Sequence, residues 1–388
     1  MLSRRTLLSR LAVAAPSLRA GLAAQSGARM ESDATVEWIR TLSLEPENYH
    51  GWPTVGRAAD GTLLLVVSGG RESHVCPFGR VELLRSHDDG ETWTWPEVLL
   101  DTAIDDRDAG ICITPRGSVL VTTFTSLAYE EVLAKAKDWP SERLSRWNAA
   151  HRRVSAEQRK ALLGTWMLRS TDGGSTWSAP YRVPLNSPHG PVALRDGRLL
   201  YAGRTLWDAT VKVGVAHSAD DGLNWQWLAE IPVRAGDRAE DYHELHAVET
   251  RSGKLIVHIR NHNEANRGET LQCESTDGGK TWSEPHSIHV WGLPSHLLRL
   301  RSGRLVMAYG YRREPFGNQA RWSDDEGRSW SAPVMLSMDG AGGDLGYPST
   351  VELADGALIT VWYERLAASP RAVLRAARWR LRGPGLPG

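Results

Sequence analysis

Six polar turn pairs, each leading into an apolar run, punctuate the chain: Asp60-Gly61 before Leu63, Arg116-Gly117 before Val119, Asp196-Gly197 before Leu199, Ser252-Gly253 before Leu255, Ser302-Gly303 before Leu305 and Asp355-Gly356 before Leu358. Glycine in the second place supplies the backbone freedom of a tight hairpin, so each pair predicts two antiparallel strands. Successive turn glycines lie 56, 80, 56, 50 and 53 positions apart. A period near fifty residues suits blades of four strands each.

A second repeat runs out of phase with the first. The phrase Ser-x-Asp-x-Gly-x-x-Trp is written at Ser86/Asp88/Gly90/Trp93, Ser170/Asp172/Gly174/Trp177, Ser218/Asp220/Gly222/Trp225, Ser275/Asp277/Gly279/Trp282 and Ser323/Asp325/Gly327/Trp330. Ser and Asp side chains bond nearby backbone N–H groups, glycine takes a positive φ and the indole pins the loop by burial. Alternating hairpins and Ser/Asp turns predict an all-β, six-bladed β-propeller. The sixth blade has no such turn, because the chain runs out soon after a third strand around Ala372 to Trp379. The β-prone segment Val36 to Leu42 is expected to supply the missing outer strand, closing the ring and removing an exposed edge.

The interval of 80 residues holds an insertion at about 126–163, with two short helices expected, one around Tyr129 and one starting at Ser155 as N-cap. It follows the second strand of the second blade, which suits a wall or lid at the rim or, equally, a packing element on the side of the blade. The 388 residues carry 24% charged side chains and no formal net charge, and no basic stripe offsets that neutrality, which argues against nucleic acid as a partner. Residues 1–30 read as a twin-arginine export signal, with Ser3-Arg4-Arg5-Thr6-Leu7-Leu8 ahead of an apolar stretch through Ala15 and small residues at Ala23-Ala24. That stretch is too short for a membrane span, so the expectation is an exported, periplasmic or extracellular propeller over 31–388. Three cysteines give no disulfide framework. No cofactor is expected, and His243-x-x-His246 does not establish a zinc site, since the spacing is common and a strand would point the two side chains to opposite faces.

Topology then predicts a site. If the six hairpin turns lie at one end of the propeller, the start of the strand before each turn and the end of the strand after it converge at the other end. Before the turns stand His50 and Trp52; Asp106, Arg107 and Asp108; His189; Glu244 and His246; Ser295 and His296; and Tyr347. After them stand Arg71 and His74, Arg204, Arg260 with Asn261 and His262, Arg312 with Arg313, and Glu364 with Arg365.

These residues resemble a known family. The Ser-x-Asp-x-Gly-x-x-Trp turns look like the Asp boxes of the bacterial sialidase (neuraminidase) superfamily, and the resemblance covers about Val36 to Trp379. Glu244-Leu245-His246, followed by Arg260, resembles the stretch that supplies the nucleophile's glutamate partner and one arginine of a carboxylate-binding triad. Gly346-Tyr347-Pro348, ending at Trp362-Tyr363-Glu364, resembles the segment with the nucleophilic tyrosine, and Arg312 falls where a further arginine is expected. The resemblance implies a retaining exo-glycosidase acting on an acidic or modified terminal sugar of a glycan. A carboxylate takes the tyrosine's proton as it attacks, and arginines hold the substrate's carboxylate by paired, charge-assisted bonds.

Two departures stand out. Gly51 occupies the place of the family's first triad arginine, and the loop Gly70-Arg71-Glu72-Ser73-His74-Val75-Cys76 has no aspartate where the family's acid/base lies. His74 is the nearest substitute, with Asp106 or Asp108 as alternatives. The candidate catalytic groups are thus Tyr347, Glu244, His74 and Asp108. Candidate substrate contacts are Arg260, Arg312, Arg71, Asp106, Arg107, His50, Trp52, His189 and His246. A polysaccharide lyase or hydrolase with His50, His74, His243 or His246 as base, with or without a metal, and a non-catalytic glycan-binding propeller, remain as other readings of the same residues.

Overall fold

All six turn glycines have positive φ, from 81° at Gly356 to 95° at Gly61, and a hairpin pivots on each. In the computed structural model, which describes residues 34–45 and 47–382, the strands form six four-stranded antiparallel sheets. The first blade runs through Tyr49–Arg57, Leu63–Arg71, Arg80–Ser86 and Glu97–Leu100. The next four repeat that pattern, and the sixth is built from Gly340–Glu352, Leu358–Leu366 and Ala372–Leu381. Its outer strand is Ala34–Thr41, which pairs antiparallel with Ala372–Leu381 from Ala34 opposite Leu381 to Thr41 opposite Arg375. Ring closure by the amino-terminal strand is therefore as the sequence predicts. The twin-arginine reading of 1–30 lies outside the described residues. No helix among the described residues is long and apolar enough to cross a membrane.

The apolar runs are continuous because a blade is covered on both faces. Leu63, Leu65 and Val67 pack toward Ile359, Val361 and Tyr363 of the sixth blade. Their neighbours Leu64 and Val66 pack toward Ile111, Val119 and Val121 of the second. Side-chain alternation along one strand thus serves two interfaces.

The insertion holds three helices rather than two: α1 (Ala128–Ala134), α2 (Ser141–His151) and α3 (Ala156–Leu162). Ser155 caps α3 in a capping box with Gln158. Helix α2 has few apolar positions, and its fold comes from tertiary contacts. Trp147 is fully buried with Tyr129, Cys76 and Ile104, and Glu72 pairs with Arg143 and, at 2.8 Å, with Arg146. The insertion therefore clamps the 72–79 loop at the end of the first blade's second strand. Cys76, Cys112 and Cys273 are buried and free.

The Ser/Asp turns form one repeated network. In the first, Gly90 N–H donates to Ser86 Oγ at 2.9 Å and Thr92 N–H to Asp88 Oδ1 at 2.9 Å, and the other four copies match it. Slight burial pushes the Asp325 carboxyl up, but donors from Ser329 and Ser323 outweigh it and bring it down to about 2. Hydrogen bonds of the same kind depress Asp88, Asp172, Asp220 and Asp277. The unfolded chain, with ordinary aspartates near ~3.9, takes up these protons first as pH falls. The stabilisation is therefore complete above about pH 4 and is lost as pH falls through the depressed values. The five turns should therefore contribute no slope to the thermal melting point above about pH 5 and a drop between about pH 4 and 2. Replacing Asp325 by Asn should shallow that drop, and an unaltered slope would remove the box carboxylates as its source.

Candidate active site

The inner strand of several blades breaks its register near the mouth of the ring. Shifts fall between Gly51 and Thr54, Arg107 and Gly110, Tyr242 and Leu245, and Gly346 and Ser349. Three of these bulges carry a non-glycine residue at positive φ: Trp52 at 55°, Asp108 at 48° and Tyr347 at 52°. Such a backbone costs about 1–3 kcal/mol for a bulky residue, and bulges of this kind re-aim side chains beside active sites. Trp52-Pro53 and Tyr347-Pro348 share a sequence signal for the device, since proline lacks the N–H that a regular ladder would need at that point.

At the centre, Tyr347 of the sixth blade meets Glu244 and Arg260, which stand on neighbouring strands of the fourth. The Tyr347 hydroxyl donates to Glu244 Oε1 at 2.6 Å. Arg260 Nη1 donates to the Tyr347 hydroxyl at 2.8 Å and to Glu244 Oε1 at 3.1 Å. Burial pushes the phenol well above its ordinary value and the Glu244 charge adds to this, against the opposing Arg260. Burial also raises Glu244, but Arg260, His243 and the tyrosine hydroxyl together hold it well below the usual carboxylate range. At rest the proton therefore sits on the tyrosine and the charge on the glutamate. Glu244 Oε2 has no hydrogen-bond partner.

Arg312 flanks the same ring, its guanidinium carbon 5.9 Å from the Tyr347 ring centre and its Nε donating to Leu345 O at 3.1 Å. On the other side Arg260 Nε donates to His262 Nε2 at 2.8 Å, and His262 stacks on His243 with ring centres 4.2 Å apart. Asp108 is 6% exposed, with Oδ1 unpartnered. Burial, opposed by Arg107 and reinforced by Glu244, pushes its carboxyl up to about 7. His74 is half-exposed at the mouth, its ring edge-on to Trp52 with centres 4.9 Å apart. Trp52 in turn lies 6.3 Å from the Tyr347 ring. The Arg107 guanidinium lies 4.4 Å from the Trp52 ring centre, and its Nη1 donates to His74 O at 3.1 Å.

Five sequence-selected contacts are turned elsewhere. Arg71 has no exposed surface and spends its donors on Asp105, Ser68 and the carbonyls of Asp106 and His74, so it holds the framework rather than facing the mouth. Asp106 is fully covered and accepts from Thr102 N–H at 2.7 Å and from its hydroxyl at 3.0 Å, with burial pushing it up to about 8. His50 is covered, its Nδ1 3.4 Å from Ser43 Oγ, and burial brings it down to about 4. His189 and His246 lie inside the ring and form a cluster with His296. A cavity of about 390 Å³ reaches these three side chains past Val55 and Ile111. His246 Nδ1 accepts from Leu297 N–H at 2.9 Å. Among the described residues no group of three or more His, Cys, Asp or Glu side chains is placed to hold a metal ion.

The structure adds three side chains that sequence reasoning passed over. Asp344 Oδ1 lies 3.0 Å from His74 Nδ1 and accepts from the hydroxyls of Tyr49 at 2.9 Å and Tyr363 at 3.2 Å. The signal available for Asp344 was its place in the long strand Gly340–Glu352, three residues ahead of Tyr347. The missing arginine at Gly51 also has a steric counterpart: a Cβ there would lie 3.1 Å from the Tyr49 ring.

Comparison with known proteins follows the same lines. The family profile described as BNR repeat-like domain matches residues 134–360. A sialidase of Bacteroides fragilis is 25% identical over 321 residues, which is 74% of this chain and 54% of the relative, so the chain spans about half the length of that curated protein. Among solved structures, a protein of unknown function from Dyadobacter fermentans superposes with a TM-score of 0.74 at 20% identity, covering 90% of this chain and 100% of the other. The Trypanosoma rangeli sialidase, solved with 2,3-difluorosialic acid as a covalent intermediate, superposes with a TM-score of 0.58 at 18% identity, covering 85% of this chain and 54% of the other.

Proposed function

The chain belongs to the BNR repeat-like family of the sialidase superfamily, and from that premise we propose that it is a retaining exo-glycoside hydrolase acting on a terminal acidic sugar of a glycan. One observation carries the reading: a tyrosine hydroxyl 2.6 Å from a partly buried glutamate and 2.8 Å from an arginine, at the open end of the ring. A neutral phenol is a weak nucleophile that an adjacent base must activate, and it avoids the repulsion a carboxylate nucleophile would meet from an anionic substrate.

In this mechanism Arg260 and Arg312 take the substrate's carboxylate in charge-assisted pairs. Pairing Arg260 with that carboxylate offsets the positive field that keeps Glu244 a poor base. Glu244 then accepts the tyrosine's proton as Tyr347 Oη bonds to the anomeric carbon. Water later displaces the tyrosine with a second inversion, so configuration is retained overall. Export, as read from Arg4-Arg5, belongs to the same proposal and is checked by cell fractionation.

The test is covalent trapping. Incubation with 2,3-difluorosialic acid, the reagent captured in the Trypanosoma rangeli structure, should add one sugar to the protein, and peptide mass spectrometry should map it to Tyr347. Glycan cleavage with no adduct on Tyr347, or with inverted product by NMR, would refute the tyrosine mechanism.

A further inference from the structure

Attack by Tyr347 accounts for half of the first step. As the new O–C bond forms and the glycosidic C–O bond breaks, the leaving oxygen needs a proton, and the water of the second step must give one up. The group responsible has to stand on the opposite side of the anomeric carbon from the tyrosine. Asp108 is almost fully covered, 6% exposed, and offers the pocket little surface for a proton exchange with a leaving group. A cleft of about 500 Å³ bordered by Glu72, Arg80, Arg146 and Arg371 includes none of Tyr347, Glu244 and Arg260 in its walls. His74 and Tyr347 both lie edge-on to the Trp52 indole, with ring centres 4.9 and 6.3 Å from it; His74 is half-exposed, and its Nε2 makes no hydrogen bond among the described residues.

What singles His74 out is the support behind its other nitrogen. Nδ1 lies 3.0 Å from Asp344 Oδ1 and 2.9 Å from the Tyr49 hydroxyl, which itself donates to the same carboxylate oxygen at 2.9 Å. Burial pushes the Asp344 carboxyl up, yet donors from His74, Tyr49 and Tyr363 outweigh it and keep it below its ordinary value. An ionised acceptor behind Nδ1 fixes the ring proton there and leaves Nε2 to exchange protons with the pocket. Asp344 and Tyr347 belong to one strand, so the two halves of the reaction are tied to a single element.

We propose that Asp344, with Tyr49 beside it, is the positioning residue that holds His74 as the acid/base of this site. This rests on the retaining reading above. In the first step the His74 imidazolium gives its Nε2 proton to the leaving oxygen while Glu244 receives the proton of Tyr347. In the second, water adds to the anomeric carbon, its proton passes to His74 Nε2, the tyrosine–sugar bond breaks and Glu244 returns a proton to the phenolate. The sum is hydrolysis, with every group restored.

The experiment has two arms. In the substrate-free protein, nitrogen-15 NMR should find neutral His74 with its proton on Nδ1, and Asp344→Asn should move the major tautomer to Nε2–H. In the second arm, activity is compared on 4-methylumbelliferyl and on lactose-linked N-acetylneuraminic acid. His74→Gln should lose about 100-fold or more on the lactose-linked compound and at most about tenfold on the aryl compound, whose leaving group needs no proton. Asp344→Asn should show the same split more weakly, in kcat rather than KM, and Asp344→Glu should restore part of it. An unchanged tautomer in Asp344→Asn, equal losses of His74→Gln on both leaving groups, or no cleavage of either compound by the unaltered protein would overturn the proposal. Full activity in Tyr347→Phe would instead refute the nucleophile assignment while the tautomer result stood.

Discussion

Tyr347→Phe is expected to lower kcat by roughly a thousandfold or more while leaving ligand affinity within a few-fold of the original. The substitution deletes one oxygen from a ring that is 5% exposed. Glu244 and Arg260 are already 3.1 Å apart and remain paired without it, so neither is left as an uncompensated charge, and the fold should hold. What disappears is the hydroxyl that bonds to both. Glu244→Gln keeps the shape but removes the acceptor for the phenol's proton, and a loss of about 10²–10⁴ in kcat is expected. Because the two act in one proton transfer, the double variant should be scarcely slower than Tyr347→Phe alone. Steady-state kinetics, with product affinity measured by calorimetry, decides this. A Tyr347→Phe protein retaining a tenth of the original turnover would take the tyrosine out of the chemistry.

The site was legible in sequence to the extent that strand ends were. A hairpin turn is a local signal, and counting from it to the mouth of the ring reaches Glu244, Arg260, Arg312 and Tyr347, which the fold does bring together. Counting fails where the inner strand bulges, because the alternation that assigns faces breaks there. Residues 105–108 show the result: Asp105 pairs with Arg71, Asp106 turns to Thr102, Arg107 lies on Trp52 and Asp108 is buried with its Oδ1 unpartnered. Four successive charged residues take different surroundings, and no periodicity distinguishes them. His50 and Trp52 are separated by the same kind of break. Asp344 was missed for a different reason: its role depends on Tyr49 and His74, which come from the first blade, next to the seam where the ring closes. Helix α2 likewise owes its burial to Trp147 meeting the 72–79 loop, a contact that its own sequence does not announce.

Arg71 was selected in sequence as a substrate contact and is structurally a keystone, and the two roles predict different losses. Its side chain and that of Asp105 are both at 0% exposure, with Nη1 to Oδ1 at 2.7 Å, and its remaining bonds hold Ser68, the Asp106 carbonyl and the turn at His74. Arg71→Met leaves a buried carboxylate with only the weaker 3.4 Å contact to Arg107. Removing one member of a buried pair costs about 3–5 kcal/mol, whereas replacing both by apolar groups of similar size is close to neutral. Arg71→Met should therefore lower unfolding stability by about that amount in urea melts, and Arg71→Met with Asp105→Leu should recover most of it. Since Arg71 also holds the carbonyl of His74, turnover on a lactose-linked substrate should fall in the single variant even well below its melting temperature, with affinity for the acidic sugar nearly unchanged. A residue that gripped the substrate would give the reverse: a large rise in KM, little loss of stability, and no rescue by changing Asp105.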